Sequence, residues 1–328
     1  MSKAPAAGTT LEHRIGPRGS FSLRQASGDI LIRGVEGDTV RVRSLDDRPL
    51  SDTFDIELLD DRVELHQHGG FDVGMRLFSR GSGADLQIEV PHGANVAVDT
   101  GSADIGASDL SGVKAFRTAS GEVSLNRLAG RVDVETVSGE IEIDGSAPVD
   151  MALKSVSGDI SVRVPSIRRL DLGTTSGDIR LDAELTGNGP FAIRSISGDA
   201  TIVGRAGFRV EAETITGDLS SDQPSKRESH PGRKVLIVGR PGPTLTFRSV
   251  SGDLHVAEPR DAAPRSVEAP AAEETVNDTP AKESEQPEVP DVQEGDDKRL
   301  DILRALERGE ITVAEATDQL TELDEVLR

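Results

Sequence analysis

Six acidic residues return at a nearly constant interval along the middle of the chain: Glu122, Glu140, Asp159, Asp178, Asp199 and Asp218. Stacked one above another, carboxylates about 5 Å apart repel, so something must compensate. Each can accept hydrogen bonds from backbone amides near its turn. Alternatively, the row can hold divalent cations, because hard cations take oxygen ligands. The spacing lacks the dense Gly-Gly-x-Gly-x-Asp nonapeptide of calcium-binding β-rolls. The amide-bonded row is therefore the expectation, and no metal or cofactor is assigned. His66 and His68 stand two apart on a strand and share a face, but no third ligand is near them in sequence, so they read as surface histidines. Gly-x-Ser-x-Gly, a Walker loop and His-Glu-x-x-His are absent. Carboxylate pairs for glycoside hydrolysis can sit on a β-helix, but that chemistry draws on sugar-stacking aromatics, and the chain has no Trp or Tyr. The expectation is a protein that is not an enzyme.

The acidic residues belong to a longer phrase, Ser-Gly-Asp/Glu followed by an aliphatic residue. Its glycines are Gly28, Gly121, Gly139, Gly158, Gly177, Gly198, Gly217 and Gly252, with a looser copy at Thr100-Gly101-Ser102-Ala103-Asp104-Ile105. From Gly101 to Gly217 the steps are 20, 18, 19, 19, 21 and 19 residues, which marks a repeat architecture. These nine glycines are assigned as structural turns needing positive φ, which glycine adopts without steric cost.

Apolar residues stand six and four positions before each phrase, as in Val132 and Val134 or Leu170 and Leu172. A small hydroxyl residue stands two before it in most copies. Alternation resumes after the turn, as in Ile160 and Val162. This is period two, so each half of the repeat is a half-buried strand. Two architectures fit. The turn is either a solenoid corner between stacked parallel strands or a two-residue hairpin in an antiparallel meander. The solenoid is favoured because one corner returns at fixed spacing while no second tight turn recurs. The fold class is thus all-β, a β-solenoid of about 19-residue coils, with nine coils rising roughly 40 Å at about 4.8 Å each.

Residues 12–257 form the repeat domain. Within it, 53–68 read as a hairpin about Asp60-Asp61, 69–84 as a loop over one end, and 220–234 as a polar surface excursion. Residues 258–296 hold twelve acidic and three basic residues among Pro and Ala, a disordered acidic tether. Residues 297–328 read as a helical hairpin. Leu300, Ile302, Leu303 and Leu306 share a face, Gly309 caps, Thr312 to Glu315 form a capping box, and Leu320 and Leu323 continue the second helix. So short a hairpin buries little. Leu303, Leu306, Leu320 and Leu323 are its expected contacts with a protein partner or a second copy.

Net charge is −21, which opposes binding to nucleic acid or anionic lipid. No secretory signal or stretch of eighteen apolar residues is evident, so the expected location is cytoplasmic, peripheral to a membrane only through a partner.

The run Ile88-Glu89-Val90-Pro91-His92-Gly93-Ala94-Asn95-Val96, followed by the Ser-Gly-Asp/Glu ladder, resembles the toast-rack, or adhesin-like, superfamily of bacterial β-solenoid domains over residues 12–257. Ile302 to Glu315 is similar to the SHOCT-like helical hairpins that accompany such domains. The resemblance implies a non-enzymatic interaction, scaffold or sensing role linked to bacterial cell-envelope stress, and brings no catalytic residues. The alternative is an exported adhesin for a surface glycan or protein.

Overall fold

A computed structural model describes residues 8–68, 83–230, 232–240 and 242–259. The tether beyond Pro259, the hairpin expected at 297–328 with Leu303, Leu306, Leu320 and Leu323, and most of the loop at 69–84 lie outside the described residues.

The Ser-Gly-Asp turn joins strands that do not pair with each other. Ser20–Ser27 lies parallel to Asn95–Ser102, while Ile30–Val35 lies parallel to Ile105–Ser108. The turn is therefore a corner and the domain is a β-solenoid. Each coil gives one strand to each of two faces. In mid-stack the chain runs from one face to the other within single strands, Val123–Ser138, Ile141–Lys154 and Ile160–Gly173, and register irregularities mark where these strands round the far corner. The alternating apolar residues meet between the faces: Phe21, Leu23, Val134, Leu153, Ile160, Leu172 and Ile193 are all buried. Burying these rows is the main favourable term in folding the coils.

Successive coils stack in chain order only in the middle. Thr244–Ser251 lies between Phe191–Arg194 and Phe208–Thr216, so the last copy of the phrase inserts beneath the copy that precedes it in sequence. The other end does the same: Arg62–Gln67 and Leu86–Pro91 form the level below Ser20–Ser27 and Ile30–Val35. The simple one-after-another stack is corrected on both counts. The physical reason is edge protection, since a bare parallel edge invites pairing with other chains. Antiparallel additions cover three of the four edges: Phe54–Leu59 beside Arg62–Gln67, Thr39–Ser44 beside Leu86–Pro91, and Arg233–Val238 beside Phe208–Thr216. The fourth ends on the three-residue strand Leu219–Ser221.

The hairpin about Asp60-Asp61 forms as expected. The polar run at 220–234 is more ordered than its composition suggests: Ser225–His230 pairs with Arg233–Val238 as the outermost hairpin of the stack.

Candidate recognition edge

The corner repeats as a set of rows. Gly28, Gly121, Gly139, Gly158, Gly177, Gly198 and Gly252 all have φ between 107° and 153°. Close approach adds a second constraint: a Cβ on Gly158 would stand 2.2 Å from the carbonyl oxygen of Gly139. Gly217 lies outside the left-handed range, but a Cβ there would stand 2.2 Å from the oxygen of Gly252, so proximity alone demands glycine. The expectation for Gly101 is corrected. Register pairs Ser102, not Thr100, with Ser120 and Ser27, which puts Ala103 in the glycine's place and Gly101 inside a strand, two residues too early. The structure adds a further copy of the corner. Gly83-Ala84-Asp85-Leu86 sits under Ser27-Gly28-Asp29-Ile30, with alanine again at the corner.

A hydroxyl residue stands two before most of these Ser residues and in four copies locks the turn, whereas the hydroxyls of Thr100, Ser155, Thr214 and Ser249 are buried without a hydrogen-bond partner. Thr118, Thr136, Thr174 and Ser195 donate to the carbonyls of Ser120, Ser138, Ser176 and Ser197 at 2.7 to 3.2 Å. In the first coil Gln25 takes this place, its Nε2 donating to the Gly28 carbonyl at 2.9 Å.

The acidic row answers its own repulsion through backbone amides. The N–H of Asp178 donates to Asp159 Oδ1 at 2.8 Å, that of Asp199 to Asp178 Oδ1 at 2.9 Å, that of Asp253 to Asp199 Oδ1 at 2.8 Å, and that of Asp218 to Asp253 Oδ1 at 2.7 Å. The same bond joins Asp29 to Asp85 and Glu122 to Asp104. Every acceptor in this ladder is Asp; Glu122 and Glu140, one methylene longer, supply none. The carboxylate at the last level, Asp218, has no coil above it. There Lys234 Nζ reaches its Oδ1 at 3.1 Å and the Gly217 carbonyl at 2.5 Å.

The residue immediately before each Ser points into solvent. Val137, Val156, Ile196, Val250 and Ile215 are 54, 48, 53, 47 and 79% exposed. They form one row. Ser157 N–H donates to Val137 O, Ser176 to Val156 O, Ser197 to Thr175 O and Ser251 to Ile196 O, at 2.8 to 2.9 Å, and Ser251 pairs with Thr216. The order is Val137, Val156, Thr175, Ile196, Val250, Ile215. The signal was present in sequence: a β-branched aliphatic residue flanked by two hydroxyl residues, out of phase with the core alternation.

Elsewhere the outward rows pair among themselves. Arg24, Asp99, Arg117, Glu135 and Lys154 alternate in sign across adjacent coils at 2.9 to 3.3 Å. Hydrogen bonds from Lys154 and then Arg117 hold the Glu135 carboxyl below its usual range. His66 and His68 do not converge: His66 faces Glu64 and His68 faces Asp55. Among the described residues no three acidic or histidine side chains are grouped to hold a metal.

Ser220 Oγ lies 2.9 Å from His255 Nδ1, and His255 Nε2 lies 3.1 Å from Asp222 Oδ2. The order of groups is that of an assisted serine nucleophile. Here, however, the Asp222 side chain is 56% exposed, so water solvates the carboxylate that such a mechanism keeps buried. The three side chains instead tie the final coil, which carries Ser220 and Asp222, to the coil beneath it, which carries His255.

At the far corner Lys114 is fully buried, its Nζ donating to the carbonyls of Leu110 (3.4 Å) and Ala129. Burial pushes its pKa down from 10.5 to about 8. Among the described residues no helix is long and apolar enough to cross a membrane.

Solved structures similar to the chain include a "putative cell adhesion protein" from Clostridium sporogenes ATCC 15579, with TM-score 0.31 and 10% identity over 77% of this chain and 100% of that one. A "putative adhesin" from Bacteroides fragilis NCTC 9343 has TM-score 0.42 and 12% identity over 75% of this chain and 96% of that one. Another, from Parabacteroides merdae ATCC 43184, has TM-score 0.22 and 13% identity over 78% and 98%. No curated protein matches the chain. Residues 22–257, well over half the sequence, match the family described as Toastrack DUF4097, and the chain belongs to that family.

Proposed function

We propose that this chain is a non-enzymatic binding module that presents one repeated edge to a protein partner and uses residues 297–328 to recruit that partner or to self-associate. The observation that carries the reading is the exposed aliphatic row. Five β-branched aliphatic side chains stand about half exposed or more, at matching positions of a six-coil row whose third place is Thr175, and nothing among the described residues covers them. Contiguous exposed apolar surface of this kind marks interaction sites. The acidic stretch at 258–296 has the composition of a flexible tether and would give the C-terminal segment reach. The similarity of that segment to SHOCT-like hairpins favours a setting in bacterial cell-envelope stress signalling.

Deleting residues 297–328 tests the reading. The expected result is a lower mass by light scattering or loss of partner capture in a pull-down from the host. Unchanged mass together with unchanged capture would overturn it.

A further inference from the structure

Two rows run side by side along the corner. Val137, Val156, Thr175, Ile196, Val250 and Ile215 make the aliphatic row. Three residues further along each turn lie the exposed acidic residues, Glu140, Asp159, Asp178, Asp199, Asp253 and Asp218. The Oδ1 atoms of Asp159, Asp178, Asp199 and Asp253 are taken up by backbone amides, which fixes these exposed carboxylates in line.

We infer that this double row is a docking site for a cationic amphipathic α-helix of a partner protein, an inference that rests on the binding-module reading above. Charge complementarity selects the sign of the occupant. A second copy of the chain would bring one acidic row against another, and with a net charge of −21 the repulsion opposes that pairing. Spacing selects its conformation. Coils rise about 4.8 Å, and a helix laid along the edge advances about 5.4 Å per turn. One apolar residue per turn can therefore follow the aliphatic row while one Lys or Arg per turn follows the acidic row at every level but the last, where Lys234 already holds Asp218. A strand parallel to the edge presents like side chains every 6.6 to 6.8 Å or so and falls out of step by the second coil. Six levels span about 24 Å, the length of roughly 16 helical residues. This is the helix-in-groove mode with an edge in place of the groove.

The chain contains neither Trp nor Tyr, so one Trp in a synthetic peptide reports binding without background. The probe is a helical peptide of that length with Leu at one position per turn and Lys flanking it. It is titrated into the full chain beside a scramble of the same composition and a version with Glu for Lys. The expected result is binding at least tenfold tighter than either control. A V156S/I196S/V250S variant, altered only at exposed positions, should lose at least tenfold. A D159N/D178N/D199N variant keeps the Oδ1 acceptor for each amide and should bind more weakly and with a flatter salt dependence. Scrambled peptide binding as tightly, or the serine variant binding unchanged, would overturn the site. Should no peptide bind while the serine variant still weakens partner capture, the helical occupant is wrong and the binding module stands. Should neither peptide nor capture respond, both readings fall.

Discussion

At the corner that carries the Ser-Gly-Asp phrase, one arrangement recurs through much of the stack: glycine at positive φ, joined in several coils by an inward hydroxyl on a carbonyl and an Asp oxygen on the next amide. At the opposite corner each coil turns in its own way. Leu110 and Ala129 give their carbonyls to the buried ammonium of Lys114, Asp109 and Arg127 both adopt positive φ and pair with each other, and later coils use Gly145 or Pro165. A repeated corner lets side chains of one type align into rows that a partner can read. An unrepeated corner closes the chain but offers no periodic surface. The proposed recognition therefore falls on the first edge, and the second carries local stability problems solved singly.

The largest expected effect is at the first corner. In Gly158→Val the new Cβ meets the Gly139 oxygen at 2.2 Å in a backbone with φ +124°. Strain of about 1–3 kcal/mol adds to a similar overpacking cost, so a loss of about 4 kcal/mol is expected in urea denaturation. A loss below about 1 kcal/mol would mean that the coils separate easily there, and that the glycine column is not what holds them in register.

The second corner gives the next effect, through Lys114. Its folded pKa of about 8 lies below the unfolded 10.5. Between those values the unfolded chain holds a proton that the folded chain has lost, so stability rises as pH goes from about 8 to 10.5 and is level below 8 on this account. The shift corresponds to about 3 kcal/mol over that window. Because the chain contains no Tyr or Cys, few other groups titrate there. Lys114→Met should remove the rise. At pH 7 its net effect should be small, since relief of burial is offset by the Ala129 carbonyl losing its ammonium donor, while the Leu110 carbonyl keeps the Ala129 N–H. Denaturant midpoints measured across the window in both proteins decide it.

The contrast between corners also explains what the sequence revealed. The glycine period and the alternation at Val132, Val134, Ile141 and Ile143 point to coils because every copy obeys the same local rule. Ala84 and Ala103 conceal two copies: both occupy the corner without glycine, so the glycine period omits the first and points to Gly101 for the second. The swapped order of the end coils has no local signal at all. It is decided by which edges need covering, a property of the assembled stack. The aliphatic row was visible at Ile196 and Val250, but an apolar residue out of phase reads as noise until the register shows that its fellows are neighbours.

Asp178 separates charge from geometry within the first corner. Asp178→Ala removes the acceptor for the Asp199 amide and should cost about 1 kcal/mol. Asp178→Asn keeps an oxygen there and should stay within about 0.5 kcal/mol of the parent. Equal losses for the two would show that the ladder is held by charge rather than by the amide bond.

The smallest effect is also the sharpest contrast. Arg127 has φ +50° and grips Asp109 with two bonds of 2.7 and 2.6 Å, but its side chain is 60% exposed. Such an exposed pair contributes little to stability. Arg127→Ala loses the pair and keeps the left-handed strain. Arg127→Gly loses the pair but relieves the strain, by about 1 kcal/mol. Glycine should therefore be the more stable of the two variants and close to the parent, as read from thermal melts at matched salt. At Gly158 glycine is favoured too, but by far more, because there the neighbouring coil's carbonyl fills the space a Cβ would need. If alanine proved the better substitute at 127, the far corner would be held by contacts with adjacent coils after all, and the distinction between a shared corner and a private one would lose its physical basis.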